Sequence, residues 1–149
     1  MHTDEFFMKE ALKEAEIGGL KKEVPVGAVL VCDNKIISKG HNLVEIMNDV
    51  TYHAEIICLR RASKYFNDWR LSESTLYCTL EPCSMCAGAI LLARVKRLVW
   101  GTNAIRLGAN GSYVDIFNRY PLWKVEIKKY ILQKESERVL KKFFKNIRK

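Results

Sequence analysis

Proline and histidine are scarce in this sequence, three of each among 149 residues, and no stretch is rich in Pro, Gly or Ser. Without such a linker, an internal repeat or a low-complexity run, nothing marks a domain boundary. The longest apolar stretch, Ala87 to Ala93, is far short of the roughly 20 residues that a membrane span needs. A secretion signal is missing too: Asp4, Glu5 and Glu10 surround Phe6, Phe7 and Met8 where a basic flank and a long apolar run would stand. The expected setting is therefore cytoplasmic. The five cysteines are odd in number and unevenly spaced, which argues against a disulfide framework and for reduced thiols.

What is present suffices for a folded chain. Hydrophobic residues make up 48% and charged residues 28%, so burial can offset the ordering entropy, and a single domain over residues 1–149 is expected. The net charge of +8 is uneven. From Lys124 to Lys149 there are ten Lys/Arg against three Glu, so nearly all of the excess belongs to one end. A patch of this kind suits a polyanion such as nucleic acid, and equally a solvated helix face.

The periodicities predict alternating helices and strands. Phe7, Met8, Ala11, Leu12 and Ala15 recur at helical spacing behind the capping candidates Thr3 and Asp4. Val26 to Val31 and Lys35 to Lys39 read as a hairpin around Asp33-Asn34. A helix over His53 to Tyr65, a strand over Thr75 to Leu80, a helix over Cys83 to Ala93 and a strand over Arg97 to Trp100 follow. Residues 101–121 lack a regular pattern, which in a compact domain marks a functional loop. Val125 to Leu132 is expected as a last strand. A basic helix over about 135–149 should place Leu140 and Phe143 against the sheet, with Lys141, Lys142, Lys145 and Arg148 mostly on the other side. The order implies a mixed sheet covered on both faces.

Two short motifs carry the chemistry, and each alone is ambiguous. His53-Ala54-Glu55 could be a surface pair at a helix start. Pro82-Cys83-Ser84-Met85-Cys86 could hold a redox pair, half of a structural zinc site or two core thiols. Together, two thiolates and one imidazole form the donor set that zinc takes when its fourth position is left open for water. Both motifs start helices, where the dipole favours thiolate. Glu55 lies about 200° around a helix from His53, so it serves from the first turn as a carboxylate beside the metal, suited to moving protons.

These motifs resemble the cytidine deaminase superfamily, and within it the bacterial tRNA-specific adenosine deaminases. The likeness extends over Pro25 to Val31, Asn42, Arg70-Leu71, Thr75 to Tyr77, Thr79 to Cys83, Met85 to Ala89, Gly108-Ala109-x-Gly111-Ser112 and Phe143-Phe144 with the basic residues after it. The zinc signature is shared with deaminases of free bases and nucleosides; the Gly108 to Ser112 stretch, the Phe pair and the tail point to the tRNA branch. The resemblance implies a three-layer α/β/α cytidine deaminase-like fold with a central mixed five-stranded sheet. It implies one Zn2+ per chain on His53, Cys83 and Cys86, with Glu55 as acid and base and not as ligand. The implied reaction is conversion of adenosine to inosine at the wobble position of a tRNA anticodon loop, by a homodimer. It further implies that Asn42 binds the purine, the Ala54 backbone reads its edge and Val26 forms part of the pocket wall.

One position departs from the family pattern. Ala104 stands where an acidic or amide residue is usual near the target nucleotide, so the contact is either missing or taken over by Asn103. Asn103, Lys141, Lys142, Phe144, Lys145 and Arg148 are the RNA-binding candidates. Phe143, Cys32, Cys58 and Cys78 are expected in the core, and His2 and His41 at the surface. Two rival readings are a zinc deaminase of a free nucleobase or nucleoside, and a non-catalytic zinc-stabilised RNA-binding module. The second requires a fourth protein ligand, from Cys78, Cys58 or His41.

Overall fold

A computed structural model describes residues 1–147 of the chain. The chain opens with α1 (Asp4–Leu20), followed by β1 (Gly27–Cys32), β2 (Lys35–His41), α2 (Val44–Met47) and α3 (Ala54–Phe66). It continues through β3 (Ser74–Leu80), α4 (Ser84–Leu92), β4 (Arg97–Thr102) and β5 (Glu126–Lys128) to α5 (Gln133–Ile147). One sheet runs in the order β2-β1-β3-β4-β5. β1 is antiparallel to both β2 and β3, while β3, β4 and β5 are mutually parallel. Helices α1 and α5 pack on one face and α3 on the other, with α4 beside α3. The expected mixed five-stranded α/β/α arrangement is what the chain forms.

The central strands are buried on both faces, and their period of two sorts the core into two layers. Ala28 and Leu30 of β1, Leu76 and Cys78 of β3, and Leu98 and Trp100 of β4 face α3 and α4. Val29, Val31, Tyr77 and Val99 meet Phe7, Met8 and Ala11 of α1. Helix α1 lies so close to β1 that a Cβ on Gly27 would overlap the Ala11 carbonyl. Thr3 caps α1 by accepting from the Phe6 amide. Asp33 and Asn34, with φ of 51° and 61°, make the tight hairpin turn.

Two elements differ from the sequence expectation. The last strand pairs only over Glu126–Lys128, because Tyr130 and Leu132 adopt positive φ and turn the chain out of the sheet before α5. Helix α2 is too short to show a period, and no residue of it is buried. What holds it is a distant side chain: Glu23 accepts hydrogen bonds from the Glu45 and Ile46 amides at 3.1 and 2.7 Å.

Candidate metal centre and pocket

Strands β2, β3 and β4 run the same way and end at the same edge of the sheet, and the chain segments leaving them build the site, as is usual at the carboxyl ends of parallel strands. Pro82 and Cys83 follow β3, and Cys83 is the N-cap of α4. His53 is the N-cap of α3. Two helix N-termini therefore meet here, and they bring His53, Cys83 and Cys86 into one cluster whose ligand atoms all lie within 4.8 Å of one another. The Nδ1 of His53 is 3.6 Å from Cys83 Sγ and 3.5 Å from Cys86 Sγ. Imidazole and thiolate donors on one tetrahedral zinc, at about 2.1 and 2.3 Å from it, stand about 3.6 Å apart. The donor set and its spacing fit that metal. Among the described residues this is the one group of three or more His, Cys, Asp or Glu with such geometry.

The three donors shift one another's protons in opposite directions. Hydrogen bonding from Cys86 and from His53 holds the Cys83 thiol down to about 4. The same contact with Cys83, with burial added, pushes the Cys86 proton up. Of the two thiols, Cys83 is the one whose pKa is lowered. Its hydrogen bond also raises the His53 pKa. Glu55, in the first turn of α3, is 4% exposed, and burial raises its pKa above the ordinary carboxylate value.

A cavity of about 540 Å³ opens beside His53, Glu55 and Cys83. Val26, Asn42, Ala54, Asn103 and Ala104 all line it. The side chain of Asn42 is engaged by the protein, donating to the Val24 carbonyl at 3.4 Å and accepting from the Val44 amide at 3.2 Å. Asn103 donates to Ser112 Oγ and to the Tyr130 hydroxyl. Ala104 contributes its backbone, the amide donating to Glu81 at 3.2 Å.

Several expectations need correction. In α5 only Ser136 is buried; Leu140 and Phe143 are half-buried, and Leu140 and Phe144 border the cavity. The helix touches β3, β4 and α1, yet its apolar side also walls the pocket and does not simply dock on the sheet. Lys141, Lys142 and Lys145 are exposed, while Arg148 lies outside the described residues. His41 is not a free surface residue: its ring is held between Glu14 and Lys21, each at 3.1 Å. Cys58 and Cys78 are buried as expected, but Cys32 is only half-buried. None of Cys58, Cys78 or His41 joins the cluster.

The sequence reading passed over two buried carboxylates in the cavity wall, Glu23 and Glu81, at 0% and 2% exposure. Their partners are amides many residues away, so no local pattern reveals them. The only available signal was an acidic residue in an apolar stretch, as in Leu80-Glu81-Pro82.

A profile of MafB19-like deaminases matches residues 1–148. A protein of Buchnera aphidicola subsp. Schizaphis graminum named tRNA-specific adenosine deaminase is 46% identical over 99% of this chain and 97% of its own length. A chloroplastic tRNA(adenine(34)) deaminase of Arabidopsis thaliana is 59% identical over 77% of this chain, which spans only 9% of that much longer protein. In solved structures, a chain from a study of A-to-I editing by tRNA:A34 deaminases at the wobble position superposes with a TM-score of 0.87. It is 41% identical, over 91% of this chain and 99% of that one.

Proposed function

The chain belongs to the MafB19-like deaminase family, and from that premise we propose that it deaminates adenosine to inosine at the wobble position of a tRNA anticodon. The observation that carries the chemistry is the His53, Cys83 and Cys86 triangle, with three donors and not four among the described residues, set beside a cavity that is also lined by a buried Glu55. Three donors suit a catalytic zinc, one per chain, and tell against a purely structural metal. Zinc bound there supplies Lewis acidity that brings the pKa of water towards neutrality.

Hydrolysis exchanges the C6 amine of adenine for oxygen and releases ammonia, so protons must leave the attacking water and reach the ring and the amine. Glu55 is the group that moves them. Its buried carboxyl has a raised pKa, which brings proton uptake and release closer to neutral pH. Asn42, the Ala54 backbone and Val26 hold the purine, and all three line the cavity. Asn103 at the rim and Lys141, Lys142, Phe144 and Lys145 on α5 contact RNA, with Arg148 extending that set. A single-stranded loop suits the site because its base can be splayed into the cavity without breaking a duplex. A single catalytic unit over residues 1–149, assembled as a cytoplasmic homodimer, completes the reading. No helix among the described residues is long and apolar enough to cross a membrane.

The test is incubation of zinc-loaded protein with an anticodon stem-loop bearing adenosine at the wobble position, beside free adenosine, cytidine and guanine. Inosine from the stem-loop alone is the expected result. Turnover of a free base or nucleoside in preference to RNA would favour a small-molecule deaminase instead. Sedimentation equilibrium tests the dimer.

A further inference from the structure

We propose that Glu81 is a positioning residue that sets the rim loop 103–112 and, through it, the enzyme's hold on the RNA around the target base. This inference rests on the wobble-adenosine reading. The carboxylate is 2% exposed and receives four donors from one loop. The Ala104 amide and the Ser112 hydroxyl donate to Oε1, the first at 3.2 Å, and the Asn110 and Ser112 amides donate to Oε2 at 2.8 and 3.3 Å. A buried carboxylate is costly unless its lone pairs are filled, and here each oxygen accepts from two donors of the loop.

The loop closes around that group. Gly108 passes so near it that a Cβ there would overlap the carboxylate, and Gly108 also bridges to Cys83. The Ala109 amide donates to the Pro82 carbonyl at 2.8 Å. The strand end that presents Cys83 is therefore the anchor of the loop. Between the anchored ends stand Ile105, Arg106 and Leu107, which line the cavity yet are exposed, Ile105 to 81% and Leu107 to 65%. Two large apolar side chains and a guanidinium held in solvent at a pocket mouth offer stacking surface and charge to nucleotides beside the one in the cavity. The hydrogen bonds that the Glu81 carboxylate accepts all come from this loop, so it acts through where it holds the loop.

Glu81→Gln keeps the shape but replaces one acceptor by an NH2 group, so at least one backbone N–H of the loop loses its partner. In zinc-loaded Glu81→Gln, KM for the wobble-adenosine stem-loop should rise about tenfold, and kcat should fall less than about threefold. Trypsin cleavage after Arg106 should accelerate by about tenfold, with other sites little changed. Ser112→Ala, which removes only the hydroxyl donor, should shift both readouts the same way by less. Unchanged KM and unchanged protection of Arg106 in Glu81→Gln would overturn the proposal. So would loss of zinc, or cleavage that rises equally at every site while KM stays fixed. If Glu81→Gln does not fold, Ser112→Ala decides, and wild-type values of both readouts in it would overturn the proposal. Wild-type protein that fails to deaminate the stem-loop would sink the functional reading instead, and the Arg106 cleavage would still report on the loop.

Discussion

Glu55 and the three metal-binding candidates make different demands on a substitution, and that difference separates their roles. Glu55→Gln preserves volume and hydrogen-bonding capacity in a site with 4% exposure, so metal and fold should persist. An amide cannot cycle a proton, and general acid–base catalysis is worth about 10²–10⁴-fold; because several transfers depend on Glu55, the loss of turnover should reach the top of that range. Single-turnover assays of the zinc-loaded variant check this, and near wild-type rates would remove Glu55 from the mechanism. Cys83→Ala and Cys86→Ala should lose metal and activity together, since an open three-donor site has none to spare. Cys58→Ala should lose neither: its thiol is buried, donates to the Ala28 carbonyl at 3.2 Å and is not a member of the cluster. Metal analysis of the three proteins is sufficient, and one zinc per chain in Cys83→Ala would mean a differently built site. The motifs made these residues legible because ligand type and helix-start spacing are local properties. Glu81, though it immediately precedes the second motif, was not, because its role lies in amides from Ala104 to Ser112.

Among the elements, Asp4 shows how one side chain fastens a helix to a sheet. It sits in the first turn of α1 and binds Arg97 of β4 through both guanidinium nitrogens at 2.8 and 2.7 Å. It also accepts from the Tyr77 hydroxyl of β3 at 2.7 Å and from Lys128 of β5 at 3.1 Å. The Arg97 hydrogen bonds, above all, hold its carboxyl well below the ordinary value of 3.8. A depressed folded-state pKa means that the stabilisation is complete above pH 3.8 and drains away as the pH falls below it. Asp4→Asn should therefore cost about 2 kcal/mol at pH 7, with the gap to wild type narrowing in denaturant titrations below about pH 4. A constant gap across that range would show that charge is not the source. Neither this clasp nor the Glu23 brace on α2 could be seen in the sequence, since each joins residues distant along the chain. The longer elements could be, because β1, β3 and β4 carry apolar residues on both faces and α1 repeats them at helical spacing. The last strand was overestimated for a physical reason: Ile131 and Leu132 are apolar but half-buried, and the positive φ at Tyr130 and Leu132 had no Gly or Asn to announce it.

Across the whole molecule, charge and cavity lie at different ends of the chain but meet in space through α5. Leu140 and Phe144 of that helix border the cavity, and the exposed Lys141, Lys142 and Lys145 stand next to them in sequence. A small substrate inside the cavity gains little from lysines outside it, whereas an RNA whose target base is in the cavity must pass its backbone over the rim. Each phosphate neutralised on a single strand contributes about −0.7 to the slope of log affinity against log salt. Changing Lys141, Lys142 and Lys145 to Gln should then flatten that slope by up to about two units and weaken stem-loop binding most at low salt. Zinc content and thermal stability should be unaffected, because all three side chains are exposed. Turnover at saturating RNA should change less than affinity, since phosphate contacts position the strand while the chemistry depends on the pocket. Binding of an anticodon stem-loop measured across a salt series checks this. An unchanged affinity and slope in the triple variant would make the tail a solubilising surface, and the argument for an RNA substrate would then rest on the pocket and the relatives alone.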